Sequence, residues 1–228
     1  FLASGRPMFG VLPVARMLEL EKRGGYVLAY NGGNILDCKT GKLVYERYVP
    51  KQCIEDICIA ARECDVAPLT YYNERADDEY VIKEAFCNSA SIMQVDNIPE
   101  FVDYPVSKVL VVGEHKKLLP VKEKLENKYS DILELFFSED YFLDVVPKNV
   151  GKDASLAELL SQLGIKREEL IACGDGLNDI SMIKYAGLGI AMKNAYDEVK
   201  NNADMVTELT NDENAVADVI NRFIINKQ

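Results

Sequence analysis

The sequence predicts an α/β fold, a parallel sheet covered on both faces, with an α+β block in the middle of the chain. Three observations predict it. From residue 151 onward, short apolar strands and helices alternate strictly, which is the pattern of parallel strands joined by helical crossovers. The opening also steps from strand to helix to strand. The stretch between has another texture, with paired strands and most of the aromatic residues. The 228 residues are 48% hydrophobic, enough to bury one large core or two small ones.

The chain opens with Phe1-Leu2-Ala3, a strand end, followed by a small polar turn, Ser4-Gly5-Arg6-Pro7. Residues 7–23 read as one helix, with Val11, Val14, Ala15 and Leu18 at helical spacing and Gly24-Gly25 as its stop. YVLAY (26–30) is a short buried strand ending in Asn31-Gly32-Gly33, and NILD, CKTGK and LVYERYV read as a hairpin. The middle block begins with an amphipathic helix carrying Ile54, Ile57, Cys58 and Ala61 on one face. Strands at VAPLTYY and SIMQV enclose a helix at 78–88. SKVLVVG is a strand, KKLLPVKEKLENKY a helix interrupted early by Pro120, and ILELFFS and YFLDVV two more strands. The tyrosines and phenylalanines of this block, among them Tyr71, Tyr72, Tyr80, Phe101, Tyr104, Phe136, Phe137, Tyr141 and Phe142, fit a sheet packed on helices or a ligand-facing surface. From residue 151, ASLAELLSQLG is a helix, ELIAC a strand, GDGLND a turn into a helix through Tyr185, GLGIAM a strand, and DMVT a strand before the last helix.

Net charge is −11 and the pI about 4.7. Such a surface repels nucleic-acid phosphates and anionic membranes, which argues against both as partners. No apolar run reaches the roughly 20 residues that cross a bilayer, and no signal-peptide pattern is visible. The six cysteines, Cys38, Cys53, Cys58, Cys64, Cys87 and Cys173, show no C-x-x-C spacing and read as reduced residues of a cytoplasmic protein. The single histidine, His115, sits in GEHKK, a solvated turn, so a histidine base or multi-histidine metal site is not expected.

Three stretches carry chemistry. In LIACGDGLND an apolar strand ends at Gly174-Asp175-Gly176, where parallel sheets bind ligands. Asp179 opens the next helix beside Asn178. Either residue alone reads equally as a helix N-cap. Two carboxylates this close, Asp175 and Asp179, repel unless a cation lies near them, and an all-oxygen site suits Mg²⁺ with phosphate and water. In VPKNVGKDASLAELL, Lys152 falls at the first turn of a helix capped by Ser155 and Glu158. A lysine there makes an anion site, although Lys148 and Lys152 also read as surface lysines. In LASGRP, the Ser4 hydroxyl and free backbone N–H groups form another anion cradle, with Arg6 as a bidentate contact. Ser-Gly before a helix is also common capping chemistry. Together the three supply a hydroxyl, a lysine and a carboxylate pair, a set able to hold a phosphate next to a divalent metal.

On these motifs the sequence resembles the haloacid dehalogenase superfamily, and within it the Cof-type phosphatases with a type IIB cap. LASGRP is similar to the family's second motif, with Ser4 as the phosphate-contacting hydroxyl and Gly5 and Arg6 beside it. VPKNVGKDASLAELLSQLGI is similar to the third, with Lys152 as its lysine, and GDGLNDISMIKYAGLGIAM to the fourth, with Asp175 as the metal carboxylate, Asp179 as its companion and Asn178 as a substrate-binding residue. YNGG resembles the segment from which Asn31 approaches substrate. The resemblance implies a doubly wound Rossmann-like core from residues 1–40 and 148–228 and an α+β cap over 41–147. It implies a Mg²⁺-dependent phosphatase of small phosphorylated metabolites, sugar phosphates foremost, working through an aspartyl-phosphate. It favours neither hydrolysis nor transfer to a second position, and the oligomeric state is silent.

One departure bears on activity. The family's first motif, an Asp-x-Asp pair that supplies the nucleophile, has no counterpart upstream of Ser4. The expectation is a chain recorded without its N-terminal strand and inactive as written, with a non-catalytic phosphate-ligand protein as the alternative.

Overall fold

The structure, a computed structural model, describes residues 1–71 and 95–226. The helix expected at 78–88 and all but the last residue of SIMQV lie outside the described residues. The chain divides into two compact units, Phe1–Gly151 and Lys152–Gln228.

The first unit opens with strand β1 (Leu2–Ala3), which pairs in parallel with β2 (Tyr26–Ala29). β2 pairs antiparallel with β3 (Asn34–Asp37) and β3 with β4 (Lys42–Glu46), so the expected hairpin forms. The helix expected over 7–23 is two pieces, Met8–Met17 and Leu20–Arg23. Glu19, with φ 54°, breaks it by entering the left-handed region. Val11, Ala15 and Val27 form a small core against Leu2, Met8 and Leu36.

Among the described residues, the rest of this unit carries a four-stranded antiparallel sheet in the order β5 (Ala67–Leu69), β6 (Val109–Val112), β8 (Phe142–Pro147), β7 (Leu133–Glu139). Helices Lys51–Glu63 and His115–Tyr129 bury Ile54, Ile57, Cys58, Leu118, Val121 and Leu125 in a core shared with Val109, Val111, Leu143 and Val145. Pro120 does not interrupt its helix, which starts at His115 and runs through it to Tyr129. One missing N–H is outweighed by the buried face on either side of it. His115 is not in a turn but opens that helix. Its Nδ1 lies 2.9 Å from the Asp140 carbonyl oxygen and its ring centroid 4.5 Å from that of Phe137. Of the aromatic residues, Tyr104 and Phe137 pack on the core and Tyr71, Tyr141 and Phe142 on a second cluster with Leu69, Leu110 and Val112. Tyr72 and Tyr80 lie outside the described residues.

The second unit carries a three-stranded, all-parallel sheet, β11 (Met205–Val206), β10 (Leu188–Ala191), β9 (Ile171–Gly174). Strict strand–helix alternation produced the parallel pairing, because each strand end feeds a helix that must cross back before the next strand. Its core joins Ile183, Ile190, Ala191, Met192, Val199 and Val219. Helix Lys152–Leu163 begins four residues earlier than a Ser155 cap requires. Ser155 is inside the helix and fully buried, so the expected Ser155–Glu158 capping box is not formed.

Among the described residues no helix is long and apolar enough to cross a membrane. Cys38, Cys53, Cys58, Cys64 and Cys173 are all free thiols.

Candidate active site

The predicted residues fall into two groups, one in each unit. In the first unit, Ser4, Gly5 and Arg6 occupy the turn between the end of β1 and the helix starting at Met8. Backbone bonds lock this turn to the end of β2: Ser4 N–H donates to Leu28 O at 2.9 Å, Tyr30 N–H to Arg6 O at 2.9 Å, and Asn31 N–H to Ser4 O at 3.0 Å. The Arg6 N–H donates to Ser4 Oγ at 3.1 Å, which turns the hydroxyl's own proton toward another acceptor. The Arg6 side chain is exposed. Tyr30 and Asn31 both adopt left-handed backbone, with φ 53° and 57°. For a bulky ring such as Tyr30 that is a strained conformation, held where the surroundings over-determine it. Asn31 is buried, and its Nδ2 donates to Asp144 Oδ1 at 3.4 Å. Thus the turns that carry Ser4, Gly5, Arg6 and Asn31 are brought together.

In the second unit, Asp175, Asn178 and Asp179 follow β9 in a turn that leads to helix Ile180–Tyr185, and Lys152 is the first residue of helix Lys152–Leu163. Lys152 and Asp179 form a buried ion pair, with Nζ to Oδ1 at 2.5 Å and side chains 4% and 9% exposed. The other oxygen, Oδ2, accepts the N–H groups of Asp175 and Gly176, each at 3.0 Å. Asp179 thus closes the helical turn Leu177–Asp179 by accepting the N–H of Gly176 ahead of it, and makes no side-chain cap bond to helix Ile180–Tyr185. The cation that relieves the Asp175–Asp179 proximity on the Asp179 side is Lys152. Gly174 is required here: a Cβ at this position would lie 2.5 Å from Asp179 Cβ. Asp175 is half-buried and its Oδ2 accepts from Asn211 Nδ2 at 2.9 Å. Asn178 is half-buried in the same turn.

The turn has no second acidic oxygen to spare on Asp179, and among the described residues no group of three or more histidine, cysteine, aspartate or glutamate side chains is assembled to hold a metal. A lone half-buried carboxylate on a tight turn fits Mg²⁺, which takes one or two carboxylates and completes its shell with water and phosphate. It does not fit zinc.

Four contributing residues escaped sequence reasoning. Asn194 and Asn211 pair reciprocally, Asn194 Nδ2 with Asn211 Oδ1 and Asn211 N–H with Asn194 Oδ1, both at 3.0 Å, and so aim Asn211 at Asp175. Asn194 lies just beyond the carboxyl end of β10, the position where such residues are sought. Lys108 and Asp144 sit in and beside strands that read as core; a charge inside an apolar strand is the signal that marks them.

The family profile for haloacid dehalogenase-like hydrolases matches residues 1–220. The chain belongs to that family. Among solved structures, a haloacid dehalogenase-like hydrolase from Bacteroides thetaiotaomicron is 42% identical, with a TM-score of 0.89 over 97% of this chain and 85% of that one. The subclass IIB sugar phosphatase BT4131 has the same fold, with a TM-score of 0.78 at 23% identity over 97% of this chain and 84% of that one. The 5-amino-6-(5-phospho-D-ribitylamino)uracil phosphatase YwtE of Bacillus subtilis is 27% identical over 98% of this chain and 85% of its own length. The α/β fold class and the Cof-type, haloacid dehalogenase-like kinship expected of this chain are thereby met, and kinship with named phosphatases supports phosphoric monoester hydrolase activity.

Proposed function

We propose that this haloacid dehalogenase-like protein is a Mg²⁺-dependent phosphatase of small phosphorylated metabolites, sugar phosphates foremost, with residues 1–40 and 148–228 as its core and 41–147 as its cap. The observation that carries the reading is the Asp175–Asp179–Lys152 turn. A lysine is held at a helix N-terminus by one carboxylate while a neighbouring carboxylate stays half-exposed on a strand end. The relative named for a phosphorylated ribitylaminouracil and the sugar phosphatase of the same fold support a small phosphorylated substrate.

In this reading Asp175 holds the metal, oriented by Asn211. The metal, when bound, supplies Lewis-acid neutralisation of a phosphoryl oxygen. Lys152 offers an ammonium to the phosphoryl group as negative charge spreads over its oxygens. Asp179 keeps that ammonium in place and closes the turn through the Asp175 and Gly176 amides. The Ser4 hydroxyl, the Gly5 and Arg6 backbone and the Asn31 carboxamide are the phosphate-binding groups that the family resemblance assigns to the first unit, and Asn178 is a substrate-facing residue of the second unit's turn. None of residues 1–228 is assigned as the attacking carboxylate. The aspartyl-phosphate route calls for the family's Asp-x-Asp segment. Five free thiols among the described residues fit a reducing, cytoplasmic setting.

The test supplies a family Asp-x-Asp segment ahead of residue 1 and measures inorganic phosphate release from a panel of phosphorylated metabolites. Release should require Mg²⁺ and be stopped by chelation. Asp175→Ala and Lys152→Ala should each lower kcat by about 10²–10³ or more, and Ser4→Ala should lower it as well. Unchanged turnover in either single variant overturns its role. Mg²⁺-dependent phosphate binding with no release across the panel favours the non-catalytic reading.

A further inference from the structure

Within the first unit, charged and polar groups far apart in sequence meet away from solvent. Lys108, just ahead of β6, and Asp144, in β8, form an ion pair with Nζ to Oδ1 at 2.6 Å and side chains 5% and 0% exposed. Asp144 stands opposite Leu110 in the β6–β8 ladder, so the pair belongs to the antiparallel sheet. Both partners reach out of that sheet to the opening segment. Lys108 Nζ donates to the Gly5 carbonyl oxygen at 3.3 Å, and Asp144 Oδ1 accepts from Asn31 Nδ2 at 3.4 Å. Asp144 Oδ2 accepts the Ser138 hydroxyl, and the Tyr71 ring centroid lies 5.9 Å from the ammonium.

A buried ion pair is a poor device for stability, because desolvation offsets much of its attraction and an apolar pair of the same size does as well. What it supplies is direction. Each bond it sends out of the sheet ends on a motif singled out for phosphate: Gly5 in LASGRP and Asn31 in YNGG. The two motifs are already bonded to each other, and the Tyr30–Asn31 backbone is strained. Such a conformation lasts only where its surroundings impose it. The charges that reach the two motifs stand 103 residues from Gly5 and 113 from Asn31.

We propose that Lys108 and Asp144 are positioning residues, which set the Ser4-Gly5-Arg6 turn and the Asn31 carboxamide in their ligand-ready arrangement and make that arrangement depend on the antiparallel sheet. The identity of the ligand, a phosphorylated metabolite, rests on the phosphatase reading; the mechanical coupling does not.

The test uses the chain of residues 1–228 with Lys108→Arg, Lys108→Met, and the double variant Lys108→Met/Asp144→Leu, which leaves no buried charge unpaired and so keeps the fold. Amide hydrogen exchange reads Ser4, Tyr30 and Asn31, whose N–H groups carry the turn. In the double variant the Tyr30 and Asn31 amides should exchange at least tenfold faster, with the β6–β8 ladder within twofold of the parent. Lys108→Arg should restore protection to within threefold. The coupling is overturned by a folded double variant whose Tyr30 and Asn31 amides exchange within twofold of the parent, or by exchange that rises equally through the ladder. In parallel, inorganic phosphate with Mg²⁺ is titrated calorimetrically, and its Kd should rise at least tenfold in the double variant. A parent chain that binds no phosphate, yet loses Tyr30 and Asn31 protection in the double variant, supports the coupling; the phosphatase reading falls separately, if the chain carrying the Asp-x-Asp segment releases no phosphate.

Discussion

Lys152 stands where helix electrostatics disfavours it. A cation in the first turn faces the positive end of the helix dipole, at about 0.3–1 kcal/mol, and this one is 96% shielded from water as well, being 4% exposed. It is tolerated because Asp179 lies against it, and Asp179 in turn is tolerated because two backbone amides and one ammonium satisfy it. The pair is thus mutually dependent. Lys152→Met should destabilise the protein by about 3 kcal/mol, since it strands a buried carboxylate. Lys152→Met combined with Asp179→Leu should recover part of that loss. Urea unfolding at pH 7 checks both. A single variant as stable as the parent refutes the dependence. This structural cost also separates Lys152 from a surface lysine, a distinction that the residue types alone leave open.

The same logic applies between elements. Helices Lys51–Glu63 and His115–Tyr129 share an apolar seam, and at its rim Asp56 accepts from Lys128 Nζ at 2.5 Å and from the Tyr129 hydroxyl. The Lys128 bond first, and then Tyr129, holds the Asp56 carboxyl below its ordinary value of 3.8. A carboxylate whose folded pKa is depressed contributes stability above its unfolded pKa and loses it as pH falls through the folded one. Asp56→Asn should therefore give a small drop in the urea midpoint at pH 7 that shrinks below pH 3.8. An equal gap at pH 7 and pH 3 would contradict the ionic account. Asp56 also shows where sequence reading stops. The 3.6-residue periodicity of Ile54, Ile57, Cys58 and Ala61 made the helix legible, as strict alternation did for β9–β11. Which charge on its outer face meets a partner 72 residues on depends on tertiary register, which periodicity does not carry. Pro120 and Ser155 misled for the opposite reason: local rules for breaks and caps yielded to buried faces that run past them. Asp175, Lys152 and Ser4 stood out as candidates because each sits where a strand ends and a helix begins. Asn194, Asn211, Lys108 and Asp144 matter only through neighbours distant in sequence.

At the scale of the whole molecule, the chain builds several cores rather than one. Leu118, with 0% exposure, belongs to the cluster of the antiparallel sheet and its two helices, and Ile190, also 0% exposed, to the cluster of the parallel sheet. Among the described residues the two clusters share none. Truncating either side chain opens a cavity that the close-packed surroundings fill only in part, at about 2–5 kcal/mol for each. Effects at sites without common partners add to within about 0.5 kcal/mol. Leu118→Ala and Ile190→Ala should therefore each destabilise by that amount. Native-state amide exchange should accelerate in β6–β8 for the first and in β9–β11 for the second, because local opening follows the cooperative unit that lost its packing. Acceleration of both sheets by either variant alone would mean that the clusters unfold as one. The coupling between Lys108, Asp144 and the opening segment would then have to be read against that larger unit, with the β9–β11 amides as a second internal reference.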